Sequence, residues 1–381
     1  MSLGITDVDN VGPRLERCAQ IMADADAAVS RESETNMATL LNLLTVPDAY
    51  ADWKRALGLY ALAATPIYAG VSRWQDETVL AFPKADDLRG LHHYIPAATE
   101  QSTTLSPATR NALGIPSLAP TQWQVLLEHY APALQIETQG DFDRIGTIGV
   151  RENEPAVDAS EPAAYQRTAF TCLNGQTLIQ LVYTFWFSER PHRGARVLLG
   201  STFDFLSGAL DGLIVPVTLA PDGEPLLVDS IHACGCYHLF FPGPRLADIP
   251  APSAAMEWAF VPSRLSVLKR GQRIALRIES GTHYITGLRV VDSIAANATH
   301  YRIRDENSLR SVPMPTGGNR SLYGPDGTVA HSARDERFVL WVTAIDSPGA
   351  MRQWGQHATA FVGLRIFDNT GLIDKRFRLV D

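Results

Sequence analysis

Residues 177–187 read Thr-Leu-Ile-Gln-Leu-Val-Tyr-Thr-Phe-Trp-Phe. β-Branched and aromatic side chains dominate this run, and no alternation leaves it a solvated face, so it predicts a central strand covered on both sides. Downstream, 212–219 and 226–230 flank Ala220-Pro221-Asp222-Gly223-Glu224. The Pro, Asp and Gly there supply the fixed and positive φ values of a hairpin. Further strands are expected at 273–279 and 284–291 around Ser280-Gly281-Thr282. Short strands at this spacing argue for antiparallel pairing rather than a doubly wound parallel sheet. The expected fold class is α+β: an N-terminal helical region, then a mainly antiparallel β-rich domain of the sandwich or distorted-barrel type with a C-terminal helix.

Upstream of 177 the text changes character. Leu15, Cys18, Ile21 and Met22 are spaced as one apolar helix face, between Pro13 and the polar run Ser30 to Asn36. A second helical stretch starts near Pro47 and enters 56–71, sixteen residues without a charge. At about 1.5 Å per residue those sixteen span roughly 24 Å, short of the ~30 Å hydrocarbon core. Three readings of 56–71 therefore compete: a buried Ala/Leu-rich helix, a membrane-contacting anchor, or a processed signal cleaved near Ala61-Leu62-Ala63 with Met37 as the start. An exported chain would reside in the envelope or periplasm, and the alternative is the cytoplasm.

From Val79 the prolines at 83, 96, 107, 116 and 120 break any long helix. Thr121 is read as the cap of a short helix ended by Pro132, and 133–138 as extended. The expected organisation is a helical region over 1–75, a Pro-rich connector over 76–132 and a β-rich domain over 133–381. At the far end 338–345 reads as a strand. Ser347-Pro348 then has the cap and first-turn residues of a helix bearing Met351, Trp354, His357 and Phe361.

Composition removes several function classes. With 45% hydrophobic and 19% charged residues the chain is globular, and a net charge of −8 offers no footprint for a phosphate backbone. Nucleic acid is not an expected partner. There is no Gly-x-Ser-x-Gly, no His-Glu-x-x-His and no dinucleotide fingerprint. Gly317-Gly318-Asn319 lacks the context of a phosphate cradle. Four cysteines are too few for a disulfide framework, and Cys18 and Cys172 read as isolated buried thiols.

Residues 231–241 carry the one constellation that stands out, Ile-His-Ala-Cys-Gly-Cys-Tyr-His-Leu-Phe-Phe. At this composition a seven-residue window should hold about a quarter of one Cys or His; 232–238 holds four. If the hairpin's second strand runs straight on, His232, Cys234, Cys236 and His238 share one face and an apolar set shares the other. A straight strand cannot bring all four onto one ion. Gly235 permits a bulge that draws Cys234 and Cys236 together, and Glu189 or His192, in the loop after 177–187, could complete a ligand set. Asp211, Asp229, Asp141, Asp143 and His357 are candidates for the outer positions that orient ligands. Thiolate and imidazole donors suit zinc first, then copper or iron.

Such a site would be structural if four protein ligands close it. With an open position it would activate water or a bound small-molecule substrate for hydrolytic or redox chemistry, and Glu189 would be the general base. Two readings stand beside the metal: Cys234-Gly235-Cys236 as a thiol–disulfide pair, and the window as plain core or the wall of an organic-ligand pocket. A different class altogether is a non-catalytic envelope protein held by 56–71 whose β-domain binds a partner. His92-His93, in the connector, is read as surface, and Trp354 and Phe361 as core.

Overall fold

The computed structural model describes residues 50–82, 90–97, 109–110 and 114–380, apart from 194–195, 199–200, 254, 270, 293–296 and 356, together with part of 14–25. The chain divides into two compact units, 1–47 with 110–115, and 48–109 with 116–381. In the smaller unit the described residues of 14–25 are helical, as the spacing predicts. Ile21 and Met22, expected on a buried face, are 60% and 62% exposed. The polar run Ser30 to Asn36 and Met37 lie outside the described residues.

The larger unit is built on one curled sheet of twelve strands. In chain order these are β1 (Leu91–Pro96), β2 (Ala133–Glu137), β3 (Ile145–Arg151), β4 (Glu154–Asp158), β5 (Ala163–Leu173), β6 (Gln176–Arg190), β7 (Gly208–Leu219), β8 (Pro225–His232), β9 (Leu239–Pro242), β10 (Arg273–Ile278), β11 (Ile285–Val291) and β12 (Thr299–Asp305). Across the sheet they run β9-β8-β7-β6-β5-β12-β1-β2-β10-β11, with β3 pairing both β4 and β6. The expectation of a mainly antiparallel sheet is corrected here. β12 runs parallel to both β5 and β1, and β10 runs parallel to β2, so the sheet is mixed.

β6 explains why 177–187 is apolar throughout. Leu181, Tyr183, Phe185 and Phe187 enter one core. The residues between them face the other way, and Val182 and Trp186 pack in a second core on the opposite face with Ile214, Ile231 and Met351. Both faces are covered, so period 2 separates two cores rather than core from water. β5 and β6 join through Asn174 and Gly175, both at positive φ, the requirement of a two-residue primed turn. Cys172 beside that turn is exposed, as is Cys18, contrary to the buried thiols expected.

Among the described residues of the larger unit the α-helices are α1 (Asp52–Leu57), α2 (Tyr60–Ala81), α3 (Pro120–Tyr130) and the single turn α4 (Arg337–Leu340). The uncharged stretch 56–71 is therefore not one element. It is divided by Gly58 and by Leu59, which sits in the left-handed region at φ 49°. Its second part continues beyond 71 into a charged half carrying Arg73, Asp76 and Glu77. Among the described residues no helix is long and apolar enough to cross a membrane. β1, which carries His92 and His93, shows that the connector contributes a strand to the sheet.

The C-terminal third departs most from the sequence reading. The stretch 338–345 is not a strand but α4 followed by a 3-10 turn. No helix follows Ser347-Pro348. Gly349, Gly355 and Gly363 all take positive φ, and isolated bridges join Thr328 to Arg352 and Ala358 to Ile366. The segment is held by its neighbours instead: Arg352 N–H donates to Ala233 O, and Met351 N–H to Ser332 Oγ. Apolar residues at three- and four-residue spacing here meet a wrapping chain, and tertiary hydrogen bonds override the local pattern. α1 is tied to the same region by Lys54 on Asp346, 2.7 Å, and by Arg55 on the carbonyls of Thr343 and Gly363.

Candidate functional site

β8 ends at His232 rather than running on through 241. The chain turns at once: His232 N–H donates to Cys236 O at 2.9 Å, and Gly235 N–H to His232 O at 2.8 Å, with Gly235 at φ 93°. This is a three-residue hairpin loop whose last residue must be left-handed. A Cβ at 235 would lie 2.6 Å from Ala358 O, so glycine is also required by close packing. Four residues therefore do not share a strand face. Cys234 and Cys236 flank the glycine, 2% and 5% exposed, as free thiols. Each thiol acts on the other: the neighbouring Cys236 lowers Cys234 below the ordinary thiol value, and the neighbouring Cys234, together with burial, raises Cys236 well above it.

His232, at the mouth of the turn, belongs to a buried charge network centred on Asp211 of β7. Asp211 accepts from His283 Nδ1 at 2.8 Å, Arg334 NH2 at 3.1 Å and His232 Nδ1 at 3.4 Å. On its far side His283 stacks on Phe187, ring centroids 3.8 Å apart, and its Nε2 lies 3.5 Å from Asp143. Asp143 is fixed in turn by Ser280 Oγ and by the N–H groups of Gln139 and Gly281. Burial raises the Asp211 carboxyl, but Arg334, His232 and His283 outweigh it and hold Asp211 well below the usual carboxylate range. For His283 burial lowers the imidazole, and its bonds to Asp143 and Asp211 more than reverse this. His232 is lowered by burial, with Asp211 offsetting only part. Two carboxylates thus face one imidazolium and one guanidinium.

The sign of the pH dependence follows. A raised His283 stabilises the fold fully below the ordinary imidazole value, and that contribution is lost as pH rises through its folded value. As pH rises above the ordinary imidazole value of about 6.5, the stability difference between wild type and His283→Gln is expected to shrink. Urea titrations at rising pH test it; a difference that stays constant removes the imidazolium from the network.

His238, after the turn, sits 3.1 Å from Asp229 through Nε2. Burial pushes Asp229 well above the carboxylate range and His238 well below the imidazole range, so this pair is neutral. His357 pairs with Asp368 at 3.1 Å. In all three pairs the second ring nitrogen, His232 Nε2, His238 Nδ1 and His357 Nε2, is buried without a hydrogen-bond partner among the described residues. Glu189 and His192 are exposed at the end of β6, while Arg190 between them points inward over the rings of Tyr237 and Tyr284. Asp141 pairs on the surface with Arg144. Among the described residues no three His, Cys, Asp or Glu side chains converge as the ligands of one ion.

Beside this turn α2 covers a cavity of about 580 Å³. One wall is aromatic: Trp74 of α2 packs 5.1 Å from Tyr237 and 5.3 Å from Phe260, and Tyr237 lies 4.3 Å from Tyr284. The other carries Glu257, Glu336 and Arg365. Glu257 lies 3.8 Å from Arg365 and accepts from Val362 N–H. Glu336, 5% exposed, has no hydrogen bond or ion pair from its carboxyl among the described residues. Burial raises it above the carboxylate range against the opposing pull of Arg334. Trp74 Nε1 is a buried donor without an acceptor among the described residues.

Sequence reasoning missed most of this second wall. Glu257, Glu336 and Arg365 stand in unremarkable contexts, as do Arg334 and His283 of the Asp211 network, and 338–345 was read as a strand. A faint signal existed in His283 beside Gly281, since a histidine in a tight hairpin turn is free to point inward. Comparison with known proteins finds no family, no characterised protein and no solved structure that matches the chain.

Proposed function

We propose that the chain binds a small organic amine in the cavity beneath α2. The observation that carries this reading is Glu336, a buried carboxyl that lines the cavity and has no hydrogen-bond or ion-pair partner among the described residues. An unpaired buried carboxyl is costly, and a ligand that supplies a cation removes the penalty. The face of Trp74 would add cation–π attraction for the same charge. A volume near 580 Å³ falls within the range of small-molecule sites, about 300–1,000 Å³.

Calorimetric titration with 2-phenylethylamine, set beside the isosteric anion 3-phenylpropionate, tests the reading. The amine is expected to bind and the acid not. Glu336→Gln, which keeps shape and loses charge, is expected to weaken the amine about 10²-fold, the effect of truncating one partner of a buried charge pair. Equal binding of amine and acid, or an unchanged affinity in the variant, would sink it.

A second reading keeps a transition metal, zinc first and then copper or iron, at His232, Cys234, Cys236 and His238. What favours it is the Asp211–His232 pair, in which a carboxylate holds one imidazole nitrogen and leaves the other free, the arrangement that presets a ligand. It requires the turn to bring the donors together on binding. In that case an open position would make hydrolytic or redox chemistry the mechanism, with Glu189 or His192 reaching the site only after rearrangement. Elemental analysis of untagged protein is expected to give near-stoichiometric metal, lost in His232→Ala with Cys234→Ser. Metal-free protein ends this reading and leaves the first untouched.

A further inference from the structure

We propose, resting on the amine reading above, that the ligand of the cavity is an amphiphile: a primary amine on a long alkyl chain. Its head meets Glu336, and its tail leaves past the N-terminal half of α2 onto an exposed apolar surface. Glu336 is the residue before α4 and Leu340 the last residue of that turn, joined by Leu340 N–H donating to Glu336 O at 2.8 Å. Both line the cavity, so apolar wall begins one helical turn from the carboxyl. Pro66 and Ile67 of α2 and the ring of Phe361 line it as well.

The surface next to these lining residues is apolar. Leu62, one turn before Pro66, Val339, beside Leu340, and Leu364, beside Arg365, are each more than half exposed. Printed contacts draw their three segments together. Arg55 NH2 donates to Gly363 O at 2.7 Å and Gly363 N–H to Tyr60 Oη at 2.9 Å, which seats 361–364 against the start of α2. A Cβ at Gly58 would lie 2.6 Å from Val342, so the joint between α1 and α2 rests on the 3-10 turn that follows α4. Leu57 and Leu59, on either side of that glycine, are also more than half exposed. Large aliphatic side chains gathered in water around one site mark a binding surface. A compact amine would leave them wet, whereas an alkyl chain continuing from a head at Glu336 covers them. The same tail gives a reason for the uncharged stretch 56–71: α2 exposes Leu62, Thr65 and Ala69 there, and its charged residues begin only at Arg73.

The test is calorimetric titration of the full chain with n-alkylamines from butylamine to decylamine, below micelle-forming concentrations. Affinity is expected to rise about two- to fourfold per added methylene across the series, the upper value being a methylene fully removed from water. Leu62→Asp and Leu364→Asp, both at exposed positions, are each expected to weaken decylamine about tenfold and to leave butylamine within about twofold, since only the longer tail reaches them. Glu336→Gln is expected to weaken both amines by the same factor, and decyl sulfate, with the same tail and the opposite head, is expected not to bind. Two positions keep the test open should one aspartate variant misfold. Equal binding of butylamine and decylamine, or decylamine affinity unchanged in both aspartate variants, overturns the tail and leaves the amine site standing. No binding by any amine overturns both. A dimer seen by light scattering and broken by Leu62→Asp assigns the surface to a second copy of the chain and also overturns the proposal.

Discussion

Replacing Asp211 with asparagine is expected to lower the stability of the folded chain by about 3–5 kcal/mol, the range for removing one partner of a buried ion pair. The change is nearly isosteric, so packing is not the cause. Asp211 is fully buried and is the carboxylate that Arg334, His283 and His232 share. Without it the Arg334 guanidinium, 2% exposed, loses its hydrogen-bonded carboxylate, and the fully enclosed His283 keeps Asp143. Arg334 NH2 would retain the Leu210 carbonyl, which satisfies a donor and not the charge. Denaturant unfolding measures the loss, and pairing the change with Arg334→Met is expected to recover part of it. A loss below about 1 kcal/mol, the value of an exposed pair, would show that water reaches the network.

Truncating either of two adjacent residues on β6 is expected to be equally severe. Phe185→Ala and Trp186→Ala should each cost about 3–5 kcal/mol, the usual range for deleting a buried aromatic side chain. Adjacent positions on a strand point to opposite faces, so a sheet with one solvated face would make one of the two changes cheap. Here Phe185 is fully buried and meets Tyr301 edge-on at 5.5 Å, while Trp186, 1% exposed, fills the opposite core beside Gly212. Equilibrium unfolding of both variants, judged against each other, is the measurement. A cost under about 1 kcal/mol for either would remove one of the two cores, because surface substitutions stay within about half a kcal/mol.

The two-sided burial of β6 was legible in 177–187, where no solvated face could be drawn. The β7–β8 hairpin was legible for the same kind of reason, since Ala220-Pro221-Asp222-Gly223-Glu224 fixes its own backbone, and Ala220 N–H closes on Glu224 O at 2.8 Å. The direction of strand pairing was not. β1, β2, β5, β10 and β12 meet across long stretches of sequence, and nothing local distinguishes a strand whose neighbour runs parallel. The false C-terminal helix has the opposite cause: a clear local period at Met351, Trp354, His357 and Phe361 overruled by glycines at positive φ and by hydrogen bonds to Ala233 and Ser332.

For the site, the clustering of His232, Cys234, Cys236 and His238 was visible, and so was the role of Gly235 as the residue that lets the chain bend. Which atoms meet was not. His232 turns to Asp211 on β7 and His238, between β8 and β9, to Asp229 on β8, so the two histidines serve separate acidic side chains. The cavity could not have been read at all, because Trp74, Tyr284 and Glu336 come from three distant segments.

The sequence by itself determined what depends on neighbours in the chain: the buried strand, the hairpin turns, the glycine-centred bend and the chemical character of 232–238. Only the tertiary structure decided what depends on distant partners: the mixed sheet, the charge balance around Asp211, and the empty-handed Glu336 facing an aromatic wall. Backbone torsion and local pattern act over a few residues, whereas a carboxylate's charge state and a cavity's shape are set by whichever segments the fold brings within a few ångströms.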